Sequence, residues 1–237
     1  MSMSRRHFFR RLGAAGLGLG LTGILGCTSG GDPHGKYASR RRWSFDLGRS
    51  TPHRPPVDQP DPVERPGRLA IHPRSQWTDR GPVMARINPM NGIRRVTVHH
   101  AGFPDGYRKQ DENDVIVTLR NIQASHMDNR NWGDIGYHYV IDPAGRIWEA
   151  RSLEYQGAHT HDNNPHNIGV MLLGNFDKQQ PTKAQTGSLE ALICDLQGRY
   201  HVDCRHLFTH QELSPSTCPG HNLQRHMETF RHRLARR

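Results

Sequence analysis

The run Asn167-Ile-Gly-Val-Met-Leu-Leu173 is the feature that most restricts how this chain can fold. It is almost continuously apolar and does not alternate, so a strand formed here leaves neither face to water. Such a strand belongs in the middle of a sheet with helices packed on both sides. The rest of the chain supplies the neighbours. Residues 93–100, Ile-Arg-Arg-Val-Thr-Val-His-His, carry a β-branched run that Ala101-Gly102 ends. Residues 136–141 and 146–149 read as two strands joined by Asp142-Pro-Ala-Gly145, with proline and glycine where a tight turn needs them. A last short strand covers residues 206–210.

Helices fall before, between and after these strands. Residues 111–129 place Val115, Leu119, Ile122 and His126 at spacings of three and four, with Asp111, Glu112 and Asp114 in the first turn. Pro181-Thr182-x-x-Gln185 has the pattern of a capping box, and the helix after it carries Leu189, Leu192, Ile193 and Leu196 on one face. Residues 223–234 form the final helix. The expected architecture is α/β: a central mixed β-sheet flanked by α-helices, in one domain over residues 67–237.

Within that frame, Phe208-Thr-His210-Gln-Glu-Leu-Ser-Pro-Ser-Thr-Cys218-Pro-Gly220 stands out. Pro215, Pro219 and Gly220 stop any regular element, so the segment after the strand doubles back as a loop. That return can set Cys218 beside His210. Thiolate and imidazole are both good zinc ligands, but a catalytic site needs a third ligand and an open position. The domain has 14 histidines. His99 and His210 differ from the rest because they end apolar strands, where loops leave room for a ligand. His100 must point to the opposite face of the strand from His99, so at most one of the two can be a ligand.

The N-terminal residues read differently. Ser4-Arg-Arg-His-Phe-Phe-Arg10 resembles a twin-arginine export signal, and the Gly-rich apolar run after it is too short for a permanent membrane span. Ile24-Leu-Gly-Cys27 resembles a bacterial lipobox, which makes residues 1–26 a signal peptide and Cys27 the lipidated first residue of the mature chain. A basic tail followed by a buried helix is the other reading. With Thr28 after the cysteine, the pattern resembles the outer-membrane sorting signal, so the expected location is the periplasm, with the lipid on Cys27 as the membrane anchor. Residues 27–66, rich in proline, glycine and charge, lack apolar periodicity and read as a disordered tether.

Loss of the signal takes away Arg5, Arg6, Arg10 and Arg11, so the net charge of +10 falls to +6. From Gly67 onward, 21 basic residues face 17 acidic ones. That excess is small and unclustered, so nucleic acid is not an expected partner. Of the remaining cysteines, Cys194 and Cys204 either form a disulfide in an oxidising compartment or stay as two free thiols.

The motifs together resemble a known family. Val96-Thr-Val-His99-His100, Gly133-Asp-Ile-Gly136-Tyr137-His138, Gly157-Ala-His159-Thr, Asn167-Ile-Gly169-Val and Thr209-His210 with Thr217-Cys218-Pro-Gly220 occur in this order. They look like the type 2 N-acetylmuramoyl-L-alanine amidases, which include relatives of the peptidoglycan recognition proteins. The resemblance implies one Zn²⁺ held by His99, His210 and Cys218, and a substrate of peptidoglycan or muropeptides. It implies hydrolysis of the amide between the lactyl group of muramic acid and L-alanine, with zinc acidifying a water. Tyr137 matches the position of an oxyanion donor, although a strand aromatic packed in the core is the plain reading of the same residue. His159 and Asn164 match positions lining the substrate cleft, with a structural hydrogen-bonding role for His159 as the alternative.

Two departures bear on mechanism. Relatives often carry Lys or Thr two residues before the metal cysteine, where this chain has Ser216 as a second catalytic candidate, whose hydroxyl can donate one hydrogen bond to the oxyanion but brings no positive charge. Some relatives place a glutamate as general base in the central strand, where this chain has Met171. The alternative function is a binding module, since some recognition proteins of this kind keep the cleft and lose the zinc.

Overall fold

The structure is a computed structural model, and residues 69–236 are described. The export signal, Cys27 and the tether lie outside the described residues. Six strands form one mixed sheet: β1 (Ile71–His72), β2 (Arg95–His100), β3 (Tyr139–Ile141), β4 (Ile147–Glu149), β5 (Asn167–Leu172) and β6 (Leu207–Thr209). Their order is β1-β4-β3-β5-β2-β6. Only β3 and β4, the two arms of the hairpin, pair antiparallel; every other neighbour is parallel.

All six residues of β5 are buried, as its composition requires. Ile168, Val170 and Leu172 point into one core with Val96 and Val98 of β2. Helices α2 (Lys183–Tyr200) and α4 (His221–Leu234) cover that side with Leu189, Leu192, Ile193, Leu196, Leu223, Met227 and Phe230. Met171 joins the opposite core, where α1 (Glu112–Ala124) contributes Val115 and Leu119 against Val140 and Trp148. Strand alternation therefore sends Thr97 and His99 to the α1 side and leaves His100 on the other.

The local chemistry explains the element boundaries. Thr182 Oγ1 accepts from Gln185 N–H at 3.0 Å and Gln185 Oε1 accepts from Thr182 N–H at 3.1 Å, the capping box expected for α2. Asp111 caps α1 from outside by accepting from Asn113 and Asp114 N–H, so the helix begins one residue later than its sequence pattern suggests. At its far end α1 widens into one π-turn, Ser125–Asn129. Gly136 N–H donates to His126 Nδ1 there, at 3.1 Å, and holds that ring in the core. In the hairpin, Asp142 Oδ1 accepts from Ala144 and Arg146 N–H, and Gly145 takes φ +86°.

Two expectations are corrected. His210 does not end a strand: β6 stops at Thr209, and His210 is the first residue of a short helix, α3 (His210–Leu213). The cause is a cap at Thr209, whose backbone N–H donates to the Glu212 carboxylate at 2.8 Å. Cys194 and Cys204 are both free thiols, not a disulfide. Cys194 lies on the exposed side of α2, opposite the buried Leu192–Ile193 face, whereas Cys204 packs against the core beneath that helix.

Candidate metal centre

Parallel pairing of β2 with β6, with Val98 opposite Thr209, brings His99 and His210 to the same end of the sheet. The imidazole centroids are 4.8 Å apart. The loop after α3 then returns, and Gln211 N–H donates to the Cys218 carbonyl at 2.8 Å. Cys218 Sγ comes within 3.7 Å of His99 Nδ1 and accepts from His100 N–H at 3.3 Å. One donor atom each from His99, His210 and Cys218 all lie within 4.8 Å of one another.

These donors suit zinc. Bonds of ~2.1 Å to nitrogen and ~2.3 Å to sulfur put tetrahedral N and S ligands about 3.6 Å apart, close to the observed His99–Cys218 separation. Burial keeps His99 neutral, which a ligand nitrogen must be. Burial also pushes the Cys218 thiol up to about 12, so a thiolate at neutral pH needs a cation beside it. His210, half-buried at the mouth, is likewise shifted toward its neutral form by burial.

Tyr137 lies two residues before β3, where its carbonyl still accepts from Arg151 N–H at 2.9 Å, and its ring meets that of His99 edge-on at 5.2 Å. Burial raises its phenol pKa, so the hydroxyl stays protonated. Ser216 is exposed, and its Oγ accepts from Cys218 N–H at 3.1 Å. It lines a surface depression of about 420 Å³ with Gln211, Thr217, His221 and Gln224. The structure thus gives Ser216 a bond that tightens the returning loop. Asn164 also bonds inward: its Oδ1 accepts from His159 N–H at 2.9 Å and Thr160 N–H at 3.0 Å. His159 is 7% exposed and lies behind His99, its Nδ1 3.0 Å from His99 Nε2.

The sequence reading passed over the groups that hold His210. Thr209 Oγ1 donates to Gln224 of α4 at 2.6 Å, while Glu212 accepts from Thr209 N–H at 2.8 Å and pairs with Arg231 at 2.6 Å. The spacing Thr209-x-x-Glu212 was the available signal.

Comparison with known proteins shows the family. Residues 89–221, which include all three donors, match the family described as N-acetylmuramoyl-L-alanine amidase. The chain belongs to this amidase family. Among its relatives is peptidoglycan-recognition protein SC2 of Drosophila melanogaster, 29% identical over 163 residues, or 68% of this chain and 86% of that protein. The N-acetylmuramoyl-L-alanine amidase of Homo sapiens is 30% identical over 169 residues, covering 70% of this chain but only 29% of the human protein. Among solved structures, peptidoglycan recognition protein-LE in complex with tracheal cytotoxin, a monomeric diaminopimelic acid-type peptidoglycan, superposes with a TM-score of 0.61. That match is at 26% identity and covers 68% of this chain and 93% of that one. The mixed sheet with flanking helices is thus the fold of the amidase and recognition proteins alike.

Proposed function

We propose that the protein is a zinc-dependent N-acetylmuramoyl-L-alanine amidase that cleaves the bond between the lactyl group of muramic acid and L-alanine in peptidoglycan. The observation that carries this reading is the convergence of His99, His210 and Cys218. A domain that only bound its ligand would have no need of a half-buried thiol beside two imidazoles. The substrate class is supported by family membership and by the muropeptide bound to the recognition protein-LE relative.

Zinc held by the three donors would supply a Lewis acid able to acidify water and polarise a carbonyl. The chain's own groups do the rest. His99 and His210 bind as neutral imidazoles, and Cys218 as a thiolate offsets part of the charge of the ion. Tyr137, kept protonated by burial, donates its hydroxyl hydrogen to the carbonyl oxygen as negative charge develops there. In the net reaction the oxygen of water joins the lactyl carbonyl carbon, the C–N bond breaks, and the amine of L-alanine leaves with a proton.

Incubating the protein with purified peptidoglycan tests this reading. Stem peptides with a free L-alanine amine should appear, stop on chelation and return with added zinc. Cleavage between sugars, or no products with zinc present, would overturn it. A chain that binds muropeptides but no metal would be a recognition module instead.

The same reading places the domain outside the cytoplasm. The twin-arginine-like segment and the lipobox ending at Cys27 support export to the periplasm and a lipid anchor at the outer membrane. A lipid chain contributes ~0.8 kcal/mol per buried CH₂, so Cys27→Ala should free the protein from membranes and leave its catalysis intact. Membrane retention of that variant would mean the segment has another role.

A further inference from the structure

A buried pair of hydrogen bonds leads inward from His99. Its Nδ1 faces Cys218, and its Nε2 lies 3.0 Å from His159 Nδ1 and 3.4 Å from Thr160 Oγ1, a hydroxyl that is itself 3.0 Å from His159 Nδ1. The other nitrogen of His159, Nε2, lies 3.2 Å from the carbonyl oxygen of Asn167. A carbonyl can only accept, so the His159 proton sits on Nε2 and its Nδ1 is left as an acceptor. That acceptor draws the His99 proton to Nε2 and leaves the lone pair of His99 on Nδ1, the atom aimed at the cysteine.

The ring of His159 has no room to do otherwise. A Cβ on Gly169 would lie 2.5 Å from His159 Cδ2, and one on Gly157 would run into the same ring edge. Any side chain at either position would therefore occupy the space of the imidazole. Behind the ring, Asn164 Oδ1 takes both backbone amides of residues 159 and 160. The ring is thus held in a slot between two glycines, with its backbone pinned from behind.

We propose that His159 is the positioning residue of the metal centre: it fixes the tautomer and rotation of His99, and the glycines at 157 and 169 exist to seat it. This rests on the zinc reading of the site. A partner of this kind makes the ligand more basic and limits its motion, and its loss costs on the order of 10–100-fold in metal affinity.

The test is zinc affinity of the full chain, measured by chelator competition, in wild type, His159→Gln and His159→Asn. Asparagine puts an oxygen where Nδ1 stood and keeps the acceptor; glutamine does not place one there. His159→Gln should bind zinc ~10–100-fold more weakly, and His159→Asn should recover most of that loss. Melting of the metal-free variants separates this effect from a general loss of structure, which would not sort the two by acceptor. Nitrogen-15 spectra of the zinc-loaded wild type should show His99 protonated at Nε2. A wild-type chain that binds no zinc removes the metal reading itself and this inference with it. Tight zinc binding by wild type with equal affinity in both variants leaves the metal site standing and overturns the role of His159, as would a loss of muropeptide affinity alone.

Discussion

The Gln211 amide and the Cys218 carbonyl are joined by a hydrogen bond of 2.8 Å, and that bond closes the loop between two metal donors. The loop therefore presents the thiol from a fixed start, the first turn of α3. Cys218→Ser tests how much of the site the sulfur itself supplies. A neutral hydroxyl is a poor zinc ligand at neutral pH, so zinc affinity should fall by more than ~100-fold, and turnover should fall with it. Muropeptide affinity, measured by calorimetry, should change far less. Retained zinc and turnover would remove Cys218 from the site.

Tyr137→Phe keeps the ring that packs against His99 and deletes only the hydroxyl. Zinc content should be unchanged. The rate constant should drop by about 10²–10³-fold, the usual cost of losing one oxyanion donor. A change in substrate affinity without a change in rate would assign the phenol to binding.

Glu212 is not one of the three candidate metal donors, yet it helps set where α3 begins and so where His210 points. Its pKa is lowered to about 2: burial acts against it, but Arg231, Thr209 N–H and Gln224 together outweigh burial. Glu212→Ala should cost about 1–3 kcal/mol of stability from the lost cap and charged hydrogen bonds, read by urea denaturation. Zinc affinity should weaken as well, whereas a surface substitution of equal stability cost should spare it.

His138 ties stability to pH. Its Nδ1 accepts from Gly169 N–H at 2.9 Å and its Nε2 donates to the Tyr155 carbonyl at 3.0 Å, an arrangement open only to the neutral ring. Burial lowers its pKa from 6.5 to about 4. Because the folded value lies below the unfolded one, the contribution is complete above pH 6.5 and is lost as pH falls from there to about 4. The slope is about 1.4 kcal/mol per pH unit. Urea midpoints of the metal-free protein between pH 7 and 4 should show this decline, and His138→Gln should make it shallower, the remainder coming from His126, also lowered to about 4 by burial, and from the buried His99 and His159.

Much of this was legible from residue types alone. The unbroken apolar run of β5 demanded cover on both faces, and α1 on one side with α2 and α4 on the other provide it. The Thr182–Gln185 box and the Asp142–Gly145 turn are local, so spacing was enough to find them. His99 and Cys218 could be singled out by strand position and loop chemistry, whereas His210 was chosen as a strand end and in fact opens α3. The place of His159 could not, because it depends on β5 register: Gly169 is opposite Thr97, two residues from His99, and only the assembled sheet sets that opening against the imidazole. The Cys194–Cys204 alternatives turned on which side of α2 each thiol occupies, and nine intervening residues do not settle that.

The parallel pairing of β2 with β6 also governs when the site comes into being. His99 and Cys218 are 119 residues apart along the chain, with α1, β3, β4, β5, α2, β6 and α3 between them. Contacts over such distances form late, because the loop they close must first be ordered. No early fragment of the chain then holds all three residues of the candidate site. A metal held by them would have to wait until α3 and the loop after it had formed.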